Sequence, residues 1–528
     1  MNADKKNCVS TGQKKIKRIF SLFSRYGMLF LLVLVKFVLQ YVMVNPEYEL
    51  HRDEFLYLDQ AFHPAAGYIS VPPFTSWIAA IIQLLGGGLF WVRFFPALFG
   101  ALTVVMVWFL VEELKGGLPA KMLASVLLIF SPFSRLNILF HPNAFDILVW
   151  TIIFYTLVKF ITSQNNKWLL MSGVICALAI NNKYTVFFLI AGLLIGLLLS
   201  SQRKILTHRY FYYAAGICLL LILPNIIWQA NNNLPAFHHM KALNESQLSH
   251  ISHAEFLITQ PRFLMFGVFP VLAAFWSFIF YKPFRQFRFI GITFLVVLTL
   301  FTLCRAKSYY ALGLYPVLLA FGSVYPERMI GKGRVVVFSL LGGLSMGAFL
   351  FLGPYIMPYH SPKYIAENQE FYNKMGLLDW EDGSQRQLPQ DFANMTGWKE
   401  LAAKTREAYN QIPDKEKQST LLFCDNYGLA GAINYYNRDK VPEAYSLSTD
   451  YIFWIPHYPV ILNIIWVGPE PDSTTLNLFR SVHLKGKIEN KYADEYGTRI
   501  YLLSQPKTDV TPVFYKMIEE KKKAMDIF

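Results

Sequence analysis

The residues of this chain best suited to chemistry stand at the edges of its apolar runs. Asp53 and Glu54 come directly after the first of these runs. Charged side chains beside a hydrocarbon slab are expensive unless a site uses them. Asp146 opens a later apolar run, after the turn SRLNILFHPNAFD that also carries Arg135 and His141. It is read either as a site carboxylate or as part of a helix cap with Asn143. Lys183, Arg305 and Lys307 sit at the ends of other runs, where they can hold an anion or merely snorkel to the interface. Arginine suits bidentate contact with phosphate. Tyr309 and Tyr310 follow Lys307 closely, as site residues or as interface aromatics. His250 and His253, spaced by three and with Glu255 near, offer donors for a divalent metal ion, as does Glu54, although the spacing is generic.

The elements that must position these residues are membrane spans. Of 528 residues, 54% are hydrophobic and only 16% charged. Repeated apolar runs near twenty residues predict about eleven spans, from Tyr26–Val44 to Val335–Phe351. The net charge of +14 does not point to nucleic acid, because most Lys and Arg sit in alternate short loops, as the positive-inside rule requires. That asymmetry predicts a cytoplasmic amino terminus, with basic Lys14–Arg18 inside, and an uncleaved first span. It places Arg52, Arg135, Lys183, Arg305 and Lys307 on the outer face, where an anionic lipid headgroup would account for them. Phe74–Leu85 is too short to span and reads as an interfacial helix with Trp77 at headgroup depth. Gln229–Gln260 reads as a long polar outer loop. The five cysteines show no metal-like spacing, and three of them lie in or beside apolar runs as small hydrophobes.

The division this implies is a transmembrane region, residues 1–352, whose first external loop covers 45–90, and an extracytoplasmic α/β domain, 353–528. In the latter, Thr420–Cys424 and Asn463–Val467 read as buried strands, and Trp398–Tyr409 and Leu429–Tyr436 as helices. Asp425-Asn426-Tyr427-Gly428 reads as a turn after a strand. No Walker loop, dinucleotide fingerprint, HExxH or nucleophile elbow is present.

An acidic pair after the first span, a Val71-Pro72-Pro73 turn and an apolar helix resemble the GT-C glycosyltransferases. The likeness is to the bacterial branch related to dolichyl-phosphate-mannose protein mannosyltransferases and the lipid A aminoarabinose transferase. It extends through Asn181-Asn182-Lys183, Leu223-Pro224-Asn225 with Trp228-Gln229, the segment Arg305 to Tyr310, and Asp425 to Gly428. The resemblance implies a polytopic α-helical membrane protein of the bacterial inner membrane. Its reaction would move a sugar, with inversion, from a polyprenyl-phosphate-linked donor to an extracytoplasmic acceptor (lipid A, another glycan or protein). Asp53 then stands in the place of the base, with Glu54 beside it and Asp146 as a second acid. Lys183, Arg305, Lys307, Tyr309 and Tyr310 would hold the donor phosphate. The resemblance fixes no definite cofactor and leaves a divalent metal ion open: some relatives bind one near the first-loop acids, for which Glu54, His250 and His253 are the candidates. The rival readings are a transporter and a non-catalytic glycan-binding scaffold. Clustering of polar residues on one face, without a visible inverted repeat, speaks against the transporter.

Overall fold

The structure is a computed structural model and describes residues 26–246 and 252–525. Cys8, Lys14–Arg18 and His250 lie outside the described residues. Each apolar run read as a span is helical: α1 (Tyr26–Val42), α4 (Leu89–Glu113), α5 (Leu118–Ile129), α6 (Pro142–Ser163) and α7 (Asn166–Asn182), then Val186–Leu198, Arg209–Asn231, His253–Phe280, Lys282–Leu303, Tyr315–Met329 and Gly331–Ile356. Among the described residues six helices are long and apolar enough to cross a membrane by length and composition. The others are shorter, and α5 is continued by a 3₁₀ turn over Pro132–Asn137. Between α1 and α4 lie two helices of the first loop, α2 (Arg52–Asp59) and α3 (Phe74–Leu84). Trp77 and Ile81 on α3 are exposed, as an interfacial helix requires.

One expectation fails. Gln229–Gln260 is largely helical rather than a polar loop: the preceding helix runs to Asn231, a second covers Pro235–Ser246, and a third begins at His253. The reason is periodicity hidden under a polar composition, since Phe256, Gln260 and Leu264 recur at four-residue steps and are buried together.

The region after residue 356 carries a five-stranded mixed sheet in the order β2-β1-β3-β5-β4. Its strands are β1 (Thr420–Cys424), β2 (Ala444–Ser446), β3 (Asn463–Gly468), β4 (Phe479–Lys487) and β5 (Arg499–Pro506). All five residues of β1 are buried, which its continuous apolar run demands of a central parallel strand. It pairs in parallel with β2 and β3, while β3–β5 and β5–β4 are antiparallel. One hydrophobic core runs from the helical bundle through Phe55 of α2 to Trp398, Leu422 and Ile465. Ile69 of the first loop enters a second cluster on the sheet, with Leu421, Phe423 and Ile452. The first loop is thus sewn between bundle and sheet.

Candidate active site

α2 positions Asp53. Its first turn is closed by a capping box in which His51 Nδ1 accepts from the Asp53 amide at 3.2 Å and Glu54 Oε2 accepts from the His51 amide at 2.6 Å. The other Glu54 oxygen accepts from the Phe140 amide at 2.6 Å. Glu54 therefore clasps α2 to the turn before α6. With both oxygens taken by backbone, it is placed as a structural group rather than as a partner for substrate or an ion. Burial raises its proton affinity, and the two amides work against that.

The opposite face of α2 packs on the helix Tyr427–Asn437. Close approach is possible because that helix offers glycine at the contact: a Cβ on Gly428 would meet Arg52 Cγ at 2.3 Å, and one on Gly431 would meet Phe55 Cβ at 2.7 Å. The packing brings the Tyr427 hydroxyl to Asp53, to which it donates at 2.7 Å, while it accepts from Arg52 Nη2 at 2.8 Å. Asp53 Oδ2 is left facing His141 Nε2 at 3.8 Å, and the side chain is 29% exposed. Burial alone would raise the Asp53 carboxyl. His51 and His141 when protonated, Arg52, and the Tyr427 hydroxyl outweigh it and hold the group well below the usual carboxylate range.

Two further carboxylates weld the first loop to the sheet region. Asp59 accepts from Tyr451 Oη and Asn434 Nδ2, both at 2.7 Å, and from Arg438 Nη2 at 3.1 Å. Asp450 reaches back to accept from the Ile69 amide at 2.5 Å and from Ser70 Oγ at 2.6 Å. From the bundle, Asn225 Nδ2 donates to the Ala66 carbonyl at 2.9 Å and Gln229 Nε2 to the Tyr68 carbonyl at 3.3 Å. Held on both sides, α2 has no freedom to carry Asp53 elsewhere.

Of the cations, Lys183 and Lys307 lie toward one another, and Lys307 toward Asp53. Lys183, just past the end of α7, donates to Asn143 Oδ1 at 2.7 Å and lies 3.8 Å from the centre of the Tyr310 ring. Lys307 donates to Glu381 Oε1 at 2.6 Å. Lys307 lies within electrostatic range of Lys183. The negative charge of Asp53 reaches Lys307 and Tyr309. Arg305 is exposed and adopts the left-handed backbone region at φ 50, an arrangement that costs energy for a residue with a Cβ. Asp146 is buried in α6, where Oδ2 accepts from Thr185 Oγ1 at 3.4 Å and Oδ1 has no protein partner. It does not cap α6, whose N-cap is His141.

Among the described residues, the metal candidates Glu54 and His253 form no ligand cluster. Glu54 is clasped by amides, and one ring nitrogen of His253 is engaged with the Thr302 carbonyl at 2.7 Å. His51, Asp53 and His141 do converge, with one polar atom of each within 4.8 Å of the others. Because His51 Nδ1 accepts an amide hydrogen, its Nε2 carries hydrogen in the neutral ring and offers no lone pair. The trio therefore does not fit a divalent ion.

A helical bundle of long apolar helices with an α/β region closed over a buried, charged first loop describes a polytopic membrane protein. Residues 70–228 match the family model described as dolichyl-phosphate-mannose-protein mannosyltransferase. In fold the chain is similar to ArnT from Cupriavidus metallidurans in its crystal structure bound to undecaprenyl phosphate. That match has a TM-score of 0.60 at 15% identity, over 90% of this chain and 98% of that one. The apo crystal structure of the same protein gives a TM-score of 0.58 at 15% identity, over 91% and 98%. A comparison with curated proteins gives no match. The resemblance read from the sequence thus holds at the level of fold.

Proposed function

We propose that the chain is an inverting glycosyltransferase of the inner membrane, moving one sugar from a polyprenyl phosphate to an acceptor outside the cytoplasm. The observation that carries this reading is the pairing of opposite tasks in one place. Asp53 presents a partly exposed carboxylate side chain, while Lys183 and Lys307 lie within electrostatic range of each other and Lys307 within that of Asp53. Two ammonium groups in one region are stabilised by an added anion. A phosphate that leaves from a sugar supplies one, and ArnT, similar in fold, has been crystallised with undecaprenyl phosphate.

In the reaction, Asp53 Oδ2 takes the proton of the acceptor hydroxyl as its oxygen attacks the anomeric carbon. The bond from that carbon to the phosphate oxygen breaks, and its electron pair leaves with the lipid phosphate. Lys183, Lys307 and Arg305 balance the charge that develops there, with Tyr309 and Tyr310 lining the place. Such groups accelerate a reaction by meeting charge where it appears. Attack from the face opposite the leaving phosphate inverts the anomeric centre. Tyr427 and Arg52 hold the Asp53 carboxylate in orientation, and Glu54 fixes the helix that bears it.

Comparing envelope glycolipids and glycoproteins by mass spectrometry, with and without the gene, identifies product and acceptor. In the purified protein, Asp53→Asn is expected to bind undecaprenyl phosphate as the parent does, yet to lose about a hundredfold or more in turnover, the usual range for a general base. Near-parent turnover in that variant would move the base elsewhere, with Asp146 the next candidate.

A further inference from the structure

Behind Asp53 lies a pair of imidazoles, His51 buried and His141 largely so, that the reaction as described does not use. His141 and His51 stand edge to face with ring centroids 5.1 Å apart. The Nε2 atoms of both are buried without a hydrogen-bond partner. Unpartnered buried polar atoms are uncommon in a well-packed protein and call for a reason. His141 is the N-cap residue of α6, but its side chain makes no capping bond. Helix geometry does not explain it.

We propose that His141 receives, from Asp53, the proton that Asp53 takes from the acceptor hydroxyl. The inference rests on the glycosyltransferase reading above and makes His141 a positioning residue that acts through Asp53.

Three observations lead there. The first is direction: Tyr427 donates to Asp53 Oδ1 at 2.7 Å, so Oδ2 is the oxygen left to carry a proton, and that oxygen faces His141 Nε2 at 3.8 Å. A gap of this size closes with a small side-chain movement, and catalytic hydrogen bonds are commonly long before substrate binds. The second is affinity. With the imidazoles neutral, Arg52 and the Tyr427 hydroxyl still favour the charged form of Asp53 against its burial. Burial also lowers His141, against the pull of Asp53, which leaves its ring neutral and able to accept at Nε2. The third is what meets the charge that results. Asp53, Glu54 and Asp391 raise the proton affinity of His141, while His51 lowers it, and the Tyr57 ring packs edge-on at 5.7 Å. The step balances: the hydroxyl hydrogen passes to Asp53 Oδ2 and then to His141 Nε2. Asp53 returns to carboxylate, and the protonated imidazole keeps three carboxylates around it. Asp391, which faces Nε2 of the neighbouring His51 at 3.9 Å, is 42% exposed and opens that side of the imidazole pair to solvent.

The test has an arm that does not depend on turnover. Histidine labelled with carbon-13 at Cε1 is followed by NMR in nanodiscs through a pH titration, and the His141 signal is assigned by its absence in His141→Gln. Neutralising Asp53 in Asp53→Asn is expected to lower the midpoint of that signal by about one pH unit, as loss of an opposite charge within this distance does. In turnover, His141→Gln is expected to lose ten- to a hundredfold with undecaprenyl phosphate affinity kept within about twofold, and to lose the parent's fall in rate on the acid side of the histidine range. A His141 signal indifferent to Asp53→Asn, or parent-like turnover in His141→Gln, overturns the proposal while leaving the glycosyltransferase reading intact. A parent that transfers sugar from no polyprenyl-phosphate donor overturns both.

Discussion

Asp53 and Glu54 are adjacent and chemically alike, yet their surroundings give them separate work. Asp53 has a hydroxyl on one oxygen and an open face on the other. Glu54 has a backbone amide on each. The consequence for substitution is opposite in kind. Gln at position 54 keeps one acceptor but turns its amide hydrogens toward a backbone N–H, leaving a buried donor unmet. Such a defect costs about 1–3 kcal/mol. Glu54→Gln is therefore expected to lower the melting temperature of the purified protein, while the fraction that remains folded keeps its undecaprenyl phosphate affinity and turns over close to the parent rate. Fluorimetric melting beside turnover normalised to folded protein checks this. Equal stability with strongly reduced turnover would return Glu54 to the chemistry.

At the scale of elements, the first loop is the part on which the site depends, and α2 is held by groups from both sides. The Asp59 weld is pH-sensitive in a calculable direction. Burial pushes its carboxyl up to about 6, against the hydrogen bonds from Tyr451 and Asn434 and the charge of Arg438. A carboxyl raised in the folded state is stabilising while protonated, and that contribution is lost as pH rises through its folded value. The difference in stability between the parent and Asp59→Asn is therefore expected to favour the parent most near pH 4 and to shrink through about pH 6. Thermal melts of both proteins at a series of pH values measure it. A difference that grows with pH would mean that Arg438, not burial, governs this residue. The long-range partners of these elements explain what a sequence reader misses. Asp53 and Tyr427 are 374 residues apart, so Asp425 to Gly428 reads only as a turn; in the fold, Asn426 caps the helix by accepting from the Gly428 and Leu429 amides, and Tyr427 carries the contact that matters. His141 is visible in its turn but has no signal there linking it to Asp53. β4 escapes for another reason, since only its first residue is buried and its run of basic and polar residues shows no apolar alternation.

For the whole molecule, the apolar runs were legible because a span of about twenty residues leaves little choice of structure, and the charged outer residues because the bilayer makes them costly. The core they build does not stop where composition changes near residue 353. It continues into Trp398 and the sheet, so bundle and sheet region share one interior. That continuity constrains orientation, because the loop bearing Asp53 and the sheet region must lie on the same side of the membrane. The basic loops, among them Arg203, Lys204 and Arg209, are then expected on the other side, in the cytoplasm, by the positive-inside rule. Ser201 begins the short 3₁₀ turn that carries Arg203 and Lys204, whereas Ser384 belongs to the exposed segment near Lys307 and Glu381. In whole cells whose outer membrane has been made permeable, a cysteine introduced at Ser384 is expected to react with a membrane-impermeant maleimide. One introduced at Ser201 is expected to react only after the inner membrane is opened. The reverse pattern would put Asp53 in the cytoplasm, where the same residues would have to work on a donor facing inward.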